Sequence, residues 1–484
     1  MNIKQFIAKG SRDGMVRKIL YYNWCPFDNA KNSGGGVNVY QKNLIEEMIK
    51  SPENEIYFLS SGWKYNPLRS FAYLKETKNM FNGKVKSFEI INSPVPAPAV
   101  NCFNNINVFL NDDVVLRLFE QLARQYGPFD VIHLNNIEGI PINTLRIKEN
   151  YPNTKLVLSL HNYVPICPLV QYFQNHNECI CTDFNNGQEC LKCTDIKPGY
   201  KDYKASVRRW LRDKIGSKFI ANLLPFPKMF KSCSPKYFSE QMVSTADDFV
   251  RYRKLNVEYI NTYTDCVLAV SEKVRKIVLA HGMDEKIVKT SYIGTKFAEN
   301  ALNKSVATPD AAPFTICYLG YARIDKGFYF MVDALEKLDS DIASRMKIKL
   351  AVARLDKEDI KDKLKNFKDV EVIDGYSHAD LPGMLSDVHL GIVPVLWEDN
   401  LPQVAIEMVA CGVPVLCSDF GGASELCRSN IFKFEGGNEQ EFTEKLTSIV
   451  KNPVLLNEYW KNHTGLTSMK KHVAELNYLY GFVK

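Results

Sequence analysis

Short apolar runs alternate with helical patterns along most of this chain of 484 residues. Short apolar runs between turn signals are typical of buried strands, and strands that alternate with helices build parallel α/β sheets. A chain this long exceeds what one ordinary hydrophobic core serves, so we expect two domains. The predicted strands form two series, which comprise residues 18–24, 129–134, 156–161 and 266–271, and then 314–320, 347–352, 370–373, 390–395 and 414–418.

A loose polar stretch at residues 303–313 separates the two series and indicates a linker. We therefore expect one Rossmann-like domain over residues 1–296 and a second over residues 297–465. An amphipathic helical pattern follows in residues 466–484. Within the first domain, about residues 164–260 form an insertion that is rich in cysteine and in basic residues.

The composition is that of an ordinary globular protein, with 45% hydrophobic and 24% charged residues. The net charge of +6 is only mildly basic for this length and gives no indication of nucleic-acid binding. No run approaches the roughly 18 apolar residues of a membrane-spanning helix, and residues 1–9 lack the apolar core of a signal peptide. We expect a cytoplasmic protein whose thirteen cysteines are reduced.

The most informative local pattern covers residues 397–422. It contains an acid at Asp399, a helix start at Pro402, a second acid at Glu407 and a glycine pair at its end. Proline favours the first turn of a helix, where the N–H groups lack helical partners and the positive end of the helix dipole lies. Such a turn binds phosphate groups. Amides for a diphosphate and carboxylates for hexose and ribose hydroxyls would hold a sugar nucleotide without a metal.

Two further turns follow predicted strands, at the sheet edge where open α/β folds bind ligands. Residues 320–327 place Arg323 and Lys326 where their charges could stabilise a departing diphosphate, although a solvated turn has the same composition. The glycines at 34–36 let the backbone approach a phosphate or a sugar closely. They do not form the G-x-G-x-x-G fingerprint, so a dinucleotide cofactor is disfavoured.

These motifs resemble the signature of retaining GT-B glycosyltransferases, glycosyltransferase family 4 (glycosyl transferases group 1). In that family two glutamates are separated by seven residues, and Asp399 and Glu407 have this spacing with an aspartate in the first position. Lys326 matches the lysine of the family. Tyr321 stands where the family usually has arginine, and Arg323 follows two residues later. The resemblance implies two Rossmann-like domains that face each other across a cleft, with the C-terminal helix crossing back onto the first domain.

The resemblance also implies a role for each motif. His161 would lie at the reacting carbon, Lys326 on the diphosphate and Asp399 on the sugar, and these are the predicted catalytic residues. Glu407 would bind the ribose. The predicted donor-binding residues are Gly35, Gly36, Gly320, Arg323, Lys326, Asp399, Leu401, Gln403, Val404 and Glu407.

The activity implied is the transfer of a hexose from a nucleotide diphosphate sugar to a glycan or lipid-linked acceptor, with retention of configuration, in cell-surface polysaccharide synthesis. No cofactor is expected for catalysis. Two alternatives stay open, a GT-B epimerase that cleaves the donor without an acceptor and a non-catalytic relative that binds a glycan or a nucleotide. Away from the donor motifs, His133 is expected to be structural or to face the acceptor, and Glu138 could face the acceptor.

Five cysteines lie close together in the insertion. Cys190 and Cys193 form a C-x-x-C, and with Cys167 and Cys181 they would supply four thiolates for a structural zinc, with Cys179 as the alternative to Cys181. Free thiols and disulfides are the alternatives, and a reducing cytoplasm disfavours the disulfides. A catalytic zinc is disfavoured because no histidine is expected in the cluster.

Residues 206–224 combine an apolar helical stripe with a basic face. This composition is typical of a helix that lies in an anionic membrane surface, here the inner face of the plasma membrane. A core-packed helix with a solvated basic face explains the pattern equally well. Nucleic acid is disfavoured because the aromatic residues are not interleaved as stacking platforms. The cations concerned are Arg208, Arg209, Arg212, Lys214 and Lys218.

Overall fold

The computed structural model describes residues 16–27, 34–98, 103, 105–194, 200–215, 244–300 and 313–483. The strands within these residues are β1 (Arg17–Tyr22), β2 (Asn54–Ser61), β3 (Tyr73–Glu76), β4 (Val85–Ile91), β5 (Val131–Leu134), β6 (Lys155–Leu160), β7 (Phe173–Gln174), β8 (Cys179–Ile180), β9 (Cys266–Ala269), β10 (Val288–Thr290), β11 (Phe314–Gly320), β12 (Met346–Val352), β13 (Asp369–Ile373), β14 (Leu390–Val393), β15 (Val415–Ser418) and β16 (Lys433–Phe434).

Helices connect these strands. The α-helices are α1 (Gly35–Met48), α2 (Asn107–Leu110), α3 (Asp113–Tyr126), α4 (Ile147–Asn150), α5 (Gln188–Cys193), α6 (Tyr200–Ile215), α7 (Ala246–Tyr263), α8 (Glu272–Ala280), α9 (Phe328–Glu336), α10 (Ser340–Ala343), α11 (Lys357–Lys363), α12 (Leu381–Met384), α13 (Gln403–Ala410), α14 (Glu439–Lys451), α15 (Leu456–Lys461) and α16 (Met469–Tyr480).

The first domain is built on an eight-stranded sheet with the order β10-β9-β6-β5-β1-β2-β4-β3. Every pairing in it is parallel except that of β3 with β4. In register, Tyr22 of β1 lies beside Leu134 of β5, which lies beside Leu158 of β6. The residues that follow these strands therefore emerge at one edge of the sheet, and His161 is among them.

The second domain is built on a six-stranded parallel sheet with the order β13-β12-β11-β14-β15-β16. Strand β11 is central, and its end at Gly320 leads into the turn that carries Lys326. The loops after β14 and β15 emerge at the same edge, because parallel strands share the direction of their carboxyl ends. The predicted α/β fold with two Rossmann-like domains is confirmed.

The C-terminal helix α16 packs against the first domain through buried polar contacts. Tyr480 Oη lies 2.6 Å from His133 Nδ1 and 3.2 Å from Tyr21 Oη. His472 Nε2 lies 2.7 Å from Tyr40 Oη on α1. Burial lowers the pKa of His133 to about 3 and that of His472 to about 4, so both rings are neutral. His133 therefore has a structural role, since its second ring nitrogen contacts Ser159 in the neighbouring strand.

The basic helix α6 is anchored to the first domain. Tyr203 and Val207 are fully buried. The Arg209 guanidinium lies 3.7 Å from the centre of the Trp63 ring and donates a hydrogen bond to the Trp63 carbonyl. These contacts favour the core-packed alternative for this part of the segment. Residues 216–224, which include Lys218, lie outside the described residues.

Among the described residues, no helix is both long enough and apolar enough to cross a membrane.

We predict that Tyr480→Phe destabilises the protein, because His133 and Tyr21 lose the hydroxyl that they contact in the interior. Leaving a buried polar group unpaired costs about 1–3 kcal/mol. Urea denaturation should show this loss, whereas the control Tyr478→Phe on the same helix should be neutral, since Tyr478 is 62% exposed. Equal unfolding curves for the two variants would contradict the proposed docking of α16.

Candidate active site

A cavity of about 260 Å³ lies between the two domains. It is lined by loops from the carboxyl edges of both sheets, where α/β proteins bind ligands. The predicted site residues that line it are Gly36, His161, Gly320, Lys326, Asp399, Leu401, Gln403 and Val404.

The first turns of α1 and α13 meet across this cavity. A Cβ atom on Gly36 would lie 2.7 Å from Gln403 Cγ, so a larger residue at Gly36 would require the Gln403 side chain to shift. Gly35 begins α1, and a Cβ atom there would meet open space. Pro402 precedes α13 without a side-chain cap on the first-turn N–H groups. Gln403 and Val404, which begin α13, line the cavity, and the positive end of the helix dipole lies there.

Lys326 and Asp399 form an ion pair in the cavity wall, with Lys326 Nζ 2.6 Å from Asp399 Oδ2. The same ammonium lies 4.8 Å from the centre of the Trp397 ring. The turn that carries Lys326 depends on Gly327, because a Cβ atom there would overlap the Pro394 carbonyl oxygen. The cavity wall therefore presents one cation and one acid that neutralise each other.

Arg323 points to a different partner. Its guanidinium donates two hydrogen bonds to Asp325, at 2.8 and 2.9 Å. Asp325 also accepts a hydrogen bond from Gln171 of the first domain, at 2.9 Å. Tyr321, which stands at the position where the resembled family has arginine, lines the cavity and is 61% exposed. Arg323 thus helps to join the domains through Asp325.

Glu407 is buried within α13, and its Oε1 lies 3.0 Å from His378 Nε2. This contact raises the pKa of His378 above its usual value. Phe297, at the junction of the domains, stacks on the His378 ring with the ring centres 6.0 Å apart. Sequence reasoning missed His378, although it follows β13 at the ligand-binding edge of the sheet.

His161 lies at the end of β6 and lines the cavity. Burial lowers its pKa to about 3, so the ring is neutral, and Nε2 has no hydrogen-bond partner within the described part of the chain. The next residue, Asn162, donates a 2.6 Å hydrogen bond to Glu138 Oε1. Glu138 in turn lines a small, mostly apolar cavity in the first domain.

The glycine pair at 421–422 holds the loop that carries Asp399. The Gly422 N–H donates to the Asp399 carbonyl at 2.8 Å, and the Gly421 N–H donates to Glu398 Oε2 at 2.7 Å. Gly421 has φ +68°, and a Cβ atom there would overlap the Asp399 carbonyl oxygen. The position of the acid is therefore set by backbone contacts that leave no room for a side chain.

Two contacts between the domains were not predicted. The Glu425 carboxylate accepts hydrogen bonds from the N–H groups of Glu272 and Lys273, at 3.0 and 2.7 Å, and so caps α8 of the first domain. Asn400 Nδ2 donates to the Leu160 carbonyl at 3.2 Å. Both depend on side chains that meet only in the folded chain.

Comparison with known proteins assigns the second domain to a described family. Residues 301–464 match the family model described as glycosyl transferases group 1, and the matched segment contains Lys326, Asp399, Glu407 and the glycine pair. The chain carries a glycosyl transferases group 1 domain. No curated protein sequence matches the chain significantly.

Solved structures agree with this glycosyltransferase assignment at the level of the fold. Sucrose-phosphate synthase from Thermosynechococcus elongatus is 12% identical with a TM-score of 0.58, over 96% of this chain and 98% of that one. Anabaena HepE in complex with UDP is 13% identical with a TM-score of 0.56, over 97% and 100%. A glycosyltransferase from Rickettsia africae is 15% identical with a TM-score of 0.54, over 96% and 98%. The resemblance indicated by the motifs is confirmed in two respects: the chain has the GT-B fold, and it carries a glycosyl transferases group 1 domain.

The cysteine group of this glycosyltransferase lies in the first domain, near α5 and the hairpin of β7 and β8. All described cysteines are free thiols. Burial raises the pKa of Cys167 to about 11 and that of Cys181 to about 12, and in both cases the nearby thiols of Cys190 and Cys193 add to the shift. Contrary to expectation, a histidine shares the cluster, since His176 Nδ1 lies 3.2 Å from Cys193 Sγ.

As placed, the described residues contain no group of three or more His, Cys, Asp or Glu side chains arranged to hold a metal ion. Several of the thiols have other partners, including Cys181, which contacts Gln174 and the Asp183 carbonyl. Arg253 donates to Cys190 Sγ at 3.1 Å, and Cys179, which is exposed, contacts Gln174. A zinc ion would therefore require the thiols to draw closer together.

Gly421→Ala should abolish most of the activity, because the new methyl group displaces Asp399. A displacement of about 1 Å at a reacting group can cost roughly 100-fold in rate. Gly437→Ala is the matched control, since Gly437 also has a positive φ, of +82°, but its Cβ atom would meet nothing within 4 Å. Both variants should lose some thermal stability, and only Gly421→Ala should lose turnover. Equal turnover in the two would show that Asp399 is not held by this contact.

Proposed function

We propose that this glycosyltransferase transfers a hexose from a nucleotide diphosphate sugar to a hydroxyl of a glycan or lipid-linked acceptor, with retention of configuration and without a catalytic metal. The observation that carries the proposal is the Lys326–Asp399 pair in one cavity with the first turn of α13. A structural relative crystallised with UDP-glucose, Anabaena HepE, supports a nucleotide-sugar donor. The lipopolysaccharide galactosyltransferase WaaB, another structural relative, supports a role in cell-surface polysaccharide synthesis.

The donor diphosphate would bind where the positive charge of the cavity lies. Lys326 would exchange Asp399 for a phosphate oxygen, and the N–H groups at the start of α13 would bind the other oxygens. Negative charge grows on the diphosphate as the glycosidic bond breaks. Fixed positive groups stabilise that charge more in the transition state than in the ground state, which accelerates the reaction.

The two acids would bind the two sugar rings of the donor. Once Lys326 turns to the diphosphate, Asp399 is free to accept hydrogen bonds from hexose hydroxyls. Glu407 would accept those of the ribose, with His378 holding its carboxylate in place. Hydrogen bonds to a carboxylate are stronger than neutral ones, which suits the recognition of hydroxyl pairs.

Retention follows if the acceptor approaches on the face from which the diphosphate leaves. Among the described residues that line the cavity, Asp399 is the sole carboxylate. It lies in the loop after β14, which is part of the proposed donor site. We propose that the bond from the anomeric carbon to the phosphate oxygen breaks through an oxocarbenium-like state. The acceptor oxygen then bonds to that carbon, and its proton passes to the departing phosphate. The neutral His161 ring would contact the reacting sugar.

The two alternatives differ in what happens without an acceptor. An epimerase would convert or release the sugar from the donor alone, and a non-catalytic relative would bind the donor without turnover. Incubation with UDP-glucose and related donors, with and without a glycan acceptor, separates the three. We expect slow donor hydrolysis alone and faster consumption when an acceptor is present.

Lys326→Ala should lower turnover by roughly 10²–10³-fold, the effect of removing one group that stabilises transition-state charge. Arg323→Ala should lower turnover much less, because Arg323 is paired with Asp325 and contributes to the contact between the domains. Glu407→Ala should weaken donor binding by about 1.5–3 kcal/mol, as a hydrogen bond to a charged group is lost. Wild-type kinetics in both Lys326→Ala and Glu407→Ala would remove the donor-site assignment.

We propose a structural zinc on Cys167, Cys181, Cys190 and Cys193, supported by the C-x-x-C of Cys190 and Cys193 and by the two further thiols of the same insertion. Binding would draw the four thiols closer together than they lie in the structure. Elemental analysis should then find about one zinc per chain. Double replacement of Cys190 and Cys193 by serine should remove the metal and lower the melting temperature. Cys179→Ser should keep both, because Cys179 is exposed. A metal-free protein with freely titratable thiols would contradict the proposal.

A peripheral contact with anionic lipid at the cytoplasmic face of the membrane is the further proposal for α6. Arg208 and Arg212 are partly exposed and Lys214 is exposed, so they remain available to lipid head groups, at about 1 kcal/mol for each cation. The protein should co-sediment with anionic vesicles at low salt and dissociate at high salt, because salt screens exposed charges. Absence of binding at low salt would favour a soluble acceptor.

A further inference from the structure

Asn400 lies in the wall of the cavity between the two residues that sequence reasoning singled out, Asp399 and Leu401. Its side chain is 3% exposed. Its Nδ2 donates a hydrogen bond to the carbonyl of Leu160, at 3.2 Å, and Leu160 belongs to the other domain. Leu160 immediately precedes His161. The Asn400 side-chain amide therefore connects the loop that carries Asp399 to the end of β6 that carries His161.

The other end of the same amide is unused. Asn400 Oδ1 is buried and has no hydrogen-bond partner among the described residues. A buried hydrogen-bond acceptor without a partner destabilises the protein. Most such atoms in native structures therefore have a hydrogen-bond partner in the protein, in ordered water or in a ligand. Two more polar atoms of residues in the same wall, His161 Nε2 and Trp397 Nε1, are likewise unpartnered within the described chain.

The backbone of Asn400 has little freedom to move away. A Cβ atom on Gly422 would overlap the Asn400 carbonyl oxygen, and the neighbouring Asp399 carbonyl is bonded to the Gly422 N–H at 2.8 Å. The loop is therefore held in place, and the Oδ1 atom of Asn400 lacks a hydrogen-bond donor among the described residues. An amide oxygen accepts from N–H or O–H groups, and the O–H groups that enter this part of the cavity would be those of the donor's hexose.

We propose that Asn400 is a positioning residue that binds a hydroxyl of the donor hexose through Oδ1 and holds the two domains together over it through Nδ2. This inference rests on the proposed function. The Asn400 side chain would then contribute both to the recognition of the sugar and to the contact between the domains. A donor sugar would give Asn400 Oδ1 its missing hydrogen bond, whereas UDP alone, which lacks the sugar, would not.

The test compares UDP with UDP-glucose by calorimetry, and adds the kcat and KM of transfer. Asn400→Ala should change the Kd of UDP by less than about twofold, remove the extra affinity that glucose adds, and lower kcat at least tenfold. Asn400→Asp keeps an acceptor at Oδ1 but replaces the Nδ2 donor with an oxygen, which repels the Leu160 carbonyl oxygen. This variant should therefore keep part of the sugar affinity and still have a lowered kcat. Asn452→Ala, at an exposed asparagine of the same domain, is the control.

An Asn400→Ala protein that keeps the wild-type ratio of the two affinities, or the wild-type kcat, would overturn the inference. If that variant does not fold, the isosteric Asn400→Asp decides by kcat alone: a kcat at least tenfold below wild type supports the inference, and a wild-type kcat overturns it. Wild-type protein that binds neither UDP nor UDP-glucose would instead contradict the proposed donor itself, and the two failures are thereby distinguishable.

Discussion

The cleft depends on glycines that stand where no Cβ atom has room. Gly36 brings the first domain against α13, Gly327 turns Lys326 toward the cavity beneath Pro394, and Gly421 lies against the backbone of Asp399. A methyl group at Gly327 or Gly421 would overlap the backbone of a facing segment, and one at Gly36 would displace the Gln403 side chain. Close packing makes such shifts costly, so backbone approach sets the geometry of the site before any charged side chain acts.

In the proposed mechanism the charges of the cleft exchange partners. Lys326 holds Asp399, and His378 holds Glu407. Each acid is paired and partly desolvated, and a bare charge in such a place would be strongly destabilised. A diphosphate would take the ammonium and leave Asp399 to the sugar. The same pairs that neutralise the two acids would thus release them to the donor when a diphosphate binds.

Periodicity and turn chemistry predicted the two parallel sheets, the helix start at Pro402 and the residues at the strand ends. These features are local, because apolar runs and proline or glycine positions act over a few residues. Side-chain partners were not predictable in this way. His378, Asn400 and Glu425 form hydrogen bonds with residues that are distant in the sequence. The pairing of Arg323 with Asp325 was also missed, and it competes with any contact between Arg323 and a phosphate. The histidine beside Cys193 was missed because a β-hairpin brings it there.

A crystal structure with bound UDP would show how the donor is held. We expect the diphosphate against Lys326 and the first turn of α13, the ribose hydroxyls on Glu407, and a separation of Lys326 Nζ from Asp399 well beyond its present 2.6 Å. UDP bound away from α13, or bound with the Lys326–Asp399 pair intact and Glu407 untouched, would contradict this expectation.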